Sequence, residues 1–77
     1  MAIVVKFFAS LRESLDLAET RLNPVDVLTI ADVWSQATDN ADMPPNTLIA
    51  INMEYVDKTQ AVSDGDEVAF FPPVSGG

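Results

Sequence analysis

The stretch that most narrows the possible folds is 29–37. Ile30, Val33, Trp34 and Ala37 recur at i, i+3, i+4 and i+7, while Asp32, Ser35, Gln36 and Asp39 take the other side, which predicts an amphipathic helix with one apolar stripe. Thr29 is placed as its N-cap with Asp32 as the reciprocal partner, and Leu28 and Val33 are spaced as a hydrophobic staple. Trp34 lies on the stripe, so it reads as core and not as a ligand-stacking ring. One long helix needs an apolar surface to cover, and the flanking sequence supplies strands.

Ile3 to Phe8 is β-branched and aromatic apart from Lys6, the pattern of a strand central in a sheet. Ser10-Leu11-Arg12-Glu13 has capping-box spacing, so a short helix is predicted from Ser10, with Leu11 and Leu15 on one face. Capping accounts for Ser10 and Glu13 without a catalytic pair. Residues 18–22 read as an edge strand paired with the first, ending at Asn23-Pro24. Residues 39–46 are polar and proline-rich and form a loop, whose two acids lack the ligand spacing of a calcium site. Residues 47–51 form a further strand, Asn52-Met53-Glu54 turns it into Tyr55-Val56, and 57–62 is irregular. Ser63-Asp64-Gly65-Asp66 is a tight turn, with Gly65 free to take positive φ, into a last strand over 67–71.

The last strand gives way to Pro72-Pro73-Val74-Ser75-Gly76-Gly77. Both proline φ angles are fixed and Phe71 is pushed toward an extended conformation, so the six residues reach roughly 20 Å at about 3.3 Å each. Gly76 and Gly77 lack side chains, so a terminal carboxylate carried on them enters a channel that a Cβ would obstruct. The expected organisation is one domain over 1–71 and an extended tail over 72–77.

Composition points to the same group. The 77 residues include no cysteine and no histidine, which removes disulfides, thiolate metal sites and any ordinary base near neutral pH. No metal site is expected, and the Gly77 carboxylate is left as the plausible reactive group. Twelve acidic residues against four basic ones give a formal charge of −8, which disfavours nucleic acid and anionic membranes and favours a basic protein partner. No apolar run approaches a membrane span and the start lacks a secretory signal, so the expected location is cytoplasmic.

Three stretches carry a family resemblance: Val5-Lys6-Phe7-Phe8-Ala9-Ser10-Leu11-Arg12-Glu13, Leu48-Ile49-Ala50-Ile51-Asn52, and Asp64-Gly65-Asp66-Glu67-Val68-Ala69-Phe70-Phe71-Pro72-Pro73-Val74-Ser75-Gly76-Gly77. Together they resemble the small subunit of molybdopterin synthase. The Phe-Phe-Pro-Pro run and its spacing to Gly-Gly are the specific part. The first helix is not followed by the glycine often seen in that family. The resemblance implies an α+β, ubiquitin-like β-grasp roll, with a mixed sheet of four to five strands, one main helix and a short helix.

It also implies a sulfur carrier of molybdenum cofactor biosynthesis. An E1-like adenylating enzyme would use ATP to adenylate Gly77, and a persulfide from a sulfurtransferase or cysteine desulfurase would convert it to a thiocarboxylate. The large synthase subunit would then pass that sulfur to precursor Z, a cyclic pyranopterin, within a heterotetramer. On this reading the chain binds no cofactor and is not catalytic alone, because a carboxylate needs a leaving group and the bases belong to partners.

Period two along the last strand puts Val68 and Phe70 on one face and Glu67, Ala69 and Phe71 on the other. Phe71 then either joins Tyr55 and Met53 in an exposed partner-binding patch beside the tail, or folds back under a loop. Asp64, Asp66 and Glu67 stand where they can steer a basic partner. The alternatives in function are a sulfur carrier of thiamine thiazole synthesis, a conjugation tag and a β-grasp interaction module.

Overall fold

The computed structural model describes residues 2–26 and 29–73. In chain order the elements are β1 (Ile3–Phe7), α1 (Ala9–Leu15), β2 (Glu19–Leu22), a 3-10 turn (Pro24–Asp26), α2 (Ile30–Thr38), β3 (Leu48–Ile51), β4 (Glu54–Val56) and β5 (Glu67–Phe71). They build one mixed sheet in the order β2-β1-β5-β3-β4. β1 and β5 run parallel and the other pairs antiparallel. β1 is interior as expected, although β5 holds the centre, and β2 is an edge strand. This is the β-grasp roll.

The strands alternate as half-covered strands should. Ile3, Val5 and Phe7 of β1 and Val68 and Phe70 of β5 are buried against Ile30, Val33 and Trp34 of α2, with Ile49 of β3 and Leu11 of α1 closing the cluster. Trp34 meets Phe7 and Phe70 edge-on, with ring centroids 5.8 and 5.0 Å away. Phe7 and Phe70 stack at 5.5 Å. The Trp34 indole donates to the Ala41 carbonyl at 2.7 Å, so its one polar atom is satisfied as it enters the core.

α2 begins as its sequence predicts. The Thr29 hydroxyl accepts from the Asp32 amide at 3.4 Å, and the Asp32 carboxylate accepts from the Thr29 amide at 3.0 Å. Leu28, the other half of the expected staple, lies outside the described residues. The stretch 57–62 wraps this helix end, where the carbonyls of Gln60 and Lys58 accept from the amides of Ile30 and Ala31. Within it the Thr59 hydroxyl and amide both donate to the Asp57 carboxylate, which holds that carboxyl below its usual range.

The Ser10 capping box does not form. α1 starts at Ala9, its N-cap position is Phe8, and no side chain caps it. The reason lies in the strand before it: the Phe8 amide still donates to the Phe70 carbonyl at 3.2 Å, so the ladder runs one residue past β1 and the chain reverses at Ala9 with φ of 52°. Ser10 is therefore already helical when a cap would be needed. α1 ends on Asp16 in the left-handed region, with φ of 52° and ψ of 42°. The Asp16 and Leu17 amides return to the carbonyls of Glu13 and Arg12. Asp16 thus takes the conformation for which a glycine is the usual residue.

Asn52 and Met53, with φ of 49° and 74°, make a two-residue hairpin turn, so β4 starts at Glu54, one residue earlier than expected. Gly65 has the anticipated positive φ, 90°.

Candidate functional site

The two faces of the sheet differ in what covers them. The inner face carries the helices. The outer face is assembled by register: β5 contributes Glu67, Ala69 and Phe71, and β1 contributes Val4 and Lys6, opposite Glu67 and Ala69. Leu48 and Ala50 of β3 stand opposite Phe71 and Ala69, and Tyr55 of β4 stands opposite Ala50. Glu19 and Arg21 of β2 stand opposite Lys6 and Val4.

Phe71 lies on this outer face and is half-buried. Its ring stacks on Phe8, centroids 4.7 Å apart and planes 9° from parallel, while Phe8 remains 40% exposed. Phe71 is therefore not folded under a loop. Phe8 is the residue that sequence reading overlooked; the signal was available, because Val4, Lys6 and Phe8 continue the period of two along β1. Beyond Phe71 the chain leaves the sheet through Pro72, half-buried, and Pro73, exposed. Val74, Ser75, Gly76 and Gly77 lie outside the described residues.

Tyr55 and Met53, expected beside Phe71, are strongly exposed, at 74% and 95%. They stand elsewhere. Tyr55 is on the edge strand beyond β3, and Met53 is in the turn at the Glu67 end of the face, the end opposite Phe71. Between them the centre of the face is built from two small residues, Ala50 and Ala69. The patch is thus a stacked aromatic pair at the tail exit and a separate Tyr55–Met53 corner.

The acidic turn is mostly engaged locally. The Asp66 carboxylate accepts from the Asn52 side-chain amide at 3.1 Å and from the Ser63 amide at 2.8 Å, and Glu67 pairs with Lys6 at 3.4 Å. Asp64 is exposed. An open cleft of about 330 Å³ lies beside β3 and β4, lined by Met43, Thr47, Ile49, Val56 and Lys58 among others. Among the described residues no cluster of three or more acidic, histidine or cysteine side chains could hold a metal ion. None of their helices is long and apolar enough to cross a membrane.

The ThiS family model matches residues 5–77. The chain is 35% identical over 85 residues to the molybdopterin synthase sulfur carrier subunit of Escherichia coli (strain K12), covering 97% of this chain and 99% of that protein. It is 39% identical over 84 residues to the protein of the same name from Chlamydomonas reinhardtii, covering both completely. Among solved structures, SAMP1 from Haloferax volcanii superposes with a TM-score of 0.77 at 27% identity over the whole of both chains.

Proposed function

The chain belongs to the ThiS family, and from that premise we propose that it is the sulfur carrier subunit of a molybdopterin synthase. What supports the reading above all is that curated relatives of that name match it from end to end. The reactive group is the Gly77 carboxylate. An oxygen of that group attacks ATP in an E1-like adenylating enzyme and pyrophosphate leaves. A persulfide sulfur, supplied by a sulfurtransferase or cysteine desulfurase, then displaces AMP from the acyl carbon, and thiol cleavage of the sulfur–sulfur bond leaves a thiocarboxylate. The large subunit takes up the tail, and the sulfur passes to the pyranopterin precursor.

The chain contributes position to this chemistry. Phe71 holds the base of the tail on the outer sheet face, and Pro72 and Pro73 stiffen its exit. Val74 and Ser75 line the partner's channel, Gly76 and Gly77 thread its narrow end, and Tyr55 and Met53 extend the contact at the far corner of the face. ATP and the sulfur donor are substrates of the partners. The setting is cytoplasmic, and the working assembly is a heterotetramer of two small and two large subunits.

The test is intact mass after incubation with an adenylating enzyme, ATP and a sulfur donor. The expected product carries sulfur in place of one terminal oxygen, and adding one alanine after Gly77 abolishes it. A chain that never exchanges oxygen for sulfur overturns the reading. Supply of the loaded chain to a pyranopterin or a thiazole precursor separates the molybdenum pathway from the thiamine one.

One observation favours a second reading. A further structure, 25% identical with a TM-score of 0.75, is the H. volcanii small archaeal modifier protein 1. A modifier would use the same activated Gly77 to form isopeptide bonds with lysines. Conjugates of raised mass in an ATP-supplemented lysate, in place of a thiocarboxylate, would support it.

A further inference from the structure

We infer that the Lys6–Glu67 ion pair lies within the surface covered by the large subunit, and that Lys6 lets a strongly acidic chain bury that surface. The inference rests on the sulfur-carrier reading. A protein that draws Gly77 into its active site comes within roughly 20 Å of Phe71, six residues at about 3.3 Å each, and the sheet face left uncovered within that reach is the one on which Phe71 and Phe8 stack.

Charge on that face is unlike charge on the chain. The whole sequence has twelve acids and four bases, yet the outer face carries Glu19 and Glu67 against Lys6 and Arg21. Half of the chain's cations therefore sit on the one sheet face that no helix covers. Lys6 occupies its middle, between Val4 and Phe8 along β1, with Ala69 beside it on β5. Its ammonium is 3.4 Å from the Glu67 carboxylate, with the two side chains 36% and 52% exposed.

An exposed pair of this kind adds little to folding, so the fold alone gives no reason for a lysine between Val4 and Phe8. Under a partner the balance changes. A lone carboxylate beside Val4 and Ala69 would be stripped of water at high cost, whereas a pair formed beforehand enters as a neutral unit. The partner that fits is apolar and close to neutral opposite Lys6, Ala69 and Phe71. Any cations it uses to attract the acidic chain then lie outside this patch.

The test is a cycle of Lys6→Met, Glu67→Gln and the double variant, each titrated calorimetrically against the large synthase subunit from the same genome. Thermal melts check the fold. Each single variant is expected to bind about tenfold or more weakly, because it leaves the other charge buried alone, and the double variant to recover to within about threefold of the parent. If all three bind within about twofold of the parent, or the double variant is weaker than either single, the pair does not belong to the covered surface. Sulfur loading by intact mass keeps the two ideas apart. A parent chain that gains no sulfur and does not bind overturns the functional reading and this inference with it, whereas a loaded parent with an unresponsive cycle overturns the inference alone.

Discussion

Single residues in the left-handed region mark where this chain departs from its easiest sequence. Asp16 and Asp39 close α1 and α2 with φ of 52° and 56°. Each carries a Cβ into a region that disfavours it and a negative charge to a helix C-terminus. Asp39→Gly is expected to raise stability by about 0.5–1 kcal/mol after allowing for the extra freedom glycine gives the unfolded chain, and Asp16→Gly to act in the same direction. In a domain of this size that is a rise of a few degrees, at about 4–8 °C per kcal/mol, in a calorimetric or circular dichroism melt. The same scale divides what was legible from what was not. Thr29 and Asp32 announce their cap because spacing alone determines it. Ser10 and Glu13 have equally good spacing, but the bond from the Phe8 amide to the Phe70 carbonyl, between residues far apart in sequence, decides where α1 begins. Local pattern carries no trace of that bond.

Elements were legible wherever one periodicity held across them. The stripe of α2 and the alternation of β1 and β5 identify their buried faces, whereas the three-residue β4 is set by its turn. Asn52 and Met53 form a turn that requires positive φ twice, and an Asn-Gly pair suits it better than Asn-Met. Met53→Gly is therefore expected to stabilise the β3–β4 hairpin by about 0.5–1 kcal/mol, read as a higher urea midpoint with an unchanged slope. The order of the strands was a different matter. Nothing in 67–71 says that its neighbours are 3–7 and 48–51; that arrangement followed from family resemblance. The aromatic pair at the tail exit was half-legible for the same reason, since Phe71 was flagged by its own strand and Phe8 belongs to another.

For the whole molecule, the near-neutral balance of the outer face against a chain charge of −8 predicts how association responds to salt. Most of the excess acids lie off this face, on turns and loops such as Asp39, Asp42 and Asp57. They act at a distance, through a field that is screened over about 10 Å at 0.1 M salt. If the chain is the sulfur carrier proposed above, stopped-flow measurement with the large subunit should show an association rate that falls about tenfold or more from low to high salt, and a dissociation rate that changes little. If dissociation instead accelerates in parallel, charge is being used at the centre of contact and not in the approach.

The parallel pairing of β1 with β5 also bears on how the protein is made. β1 leaves the ribosome early, but Val5 and Phe7 gain their partners Val68 and Phe70 only after nearly all the intervening chain has been synthesised. Pairing over so long a separation is slow to nucleate, and until it happens the apolar face of α2 has no finished sheet to cover. The strand that completes the core also carries Phe71 and leads into the tail. A nascent or truncated copy lacking β5 therefore lacks Val68 and Phe70 from the core and Phe71 from the outer face, so on the proposed function it would not compete with finished molecules for the large subunit.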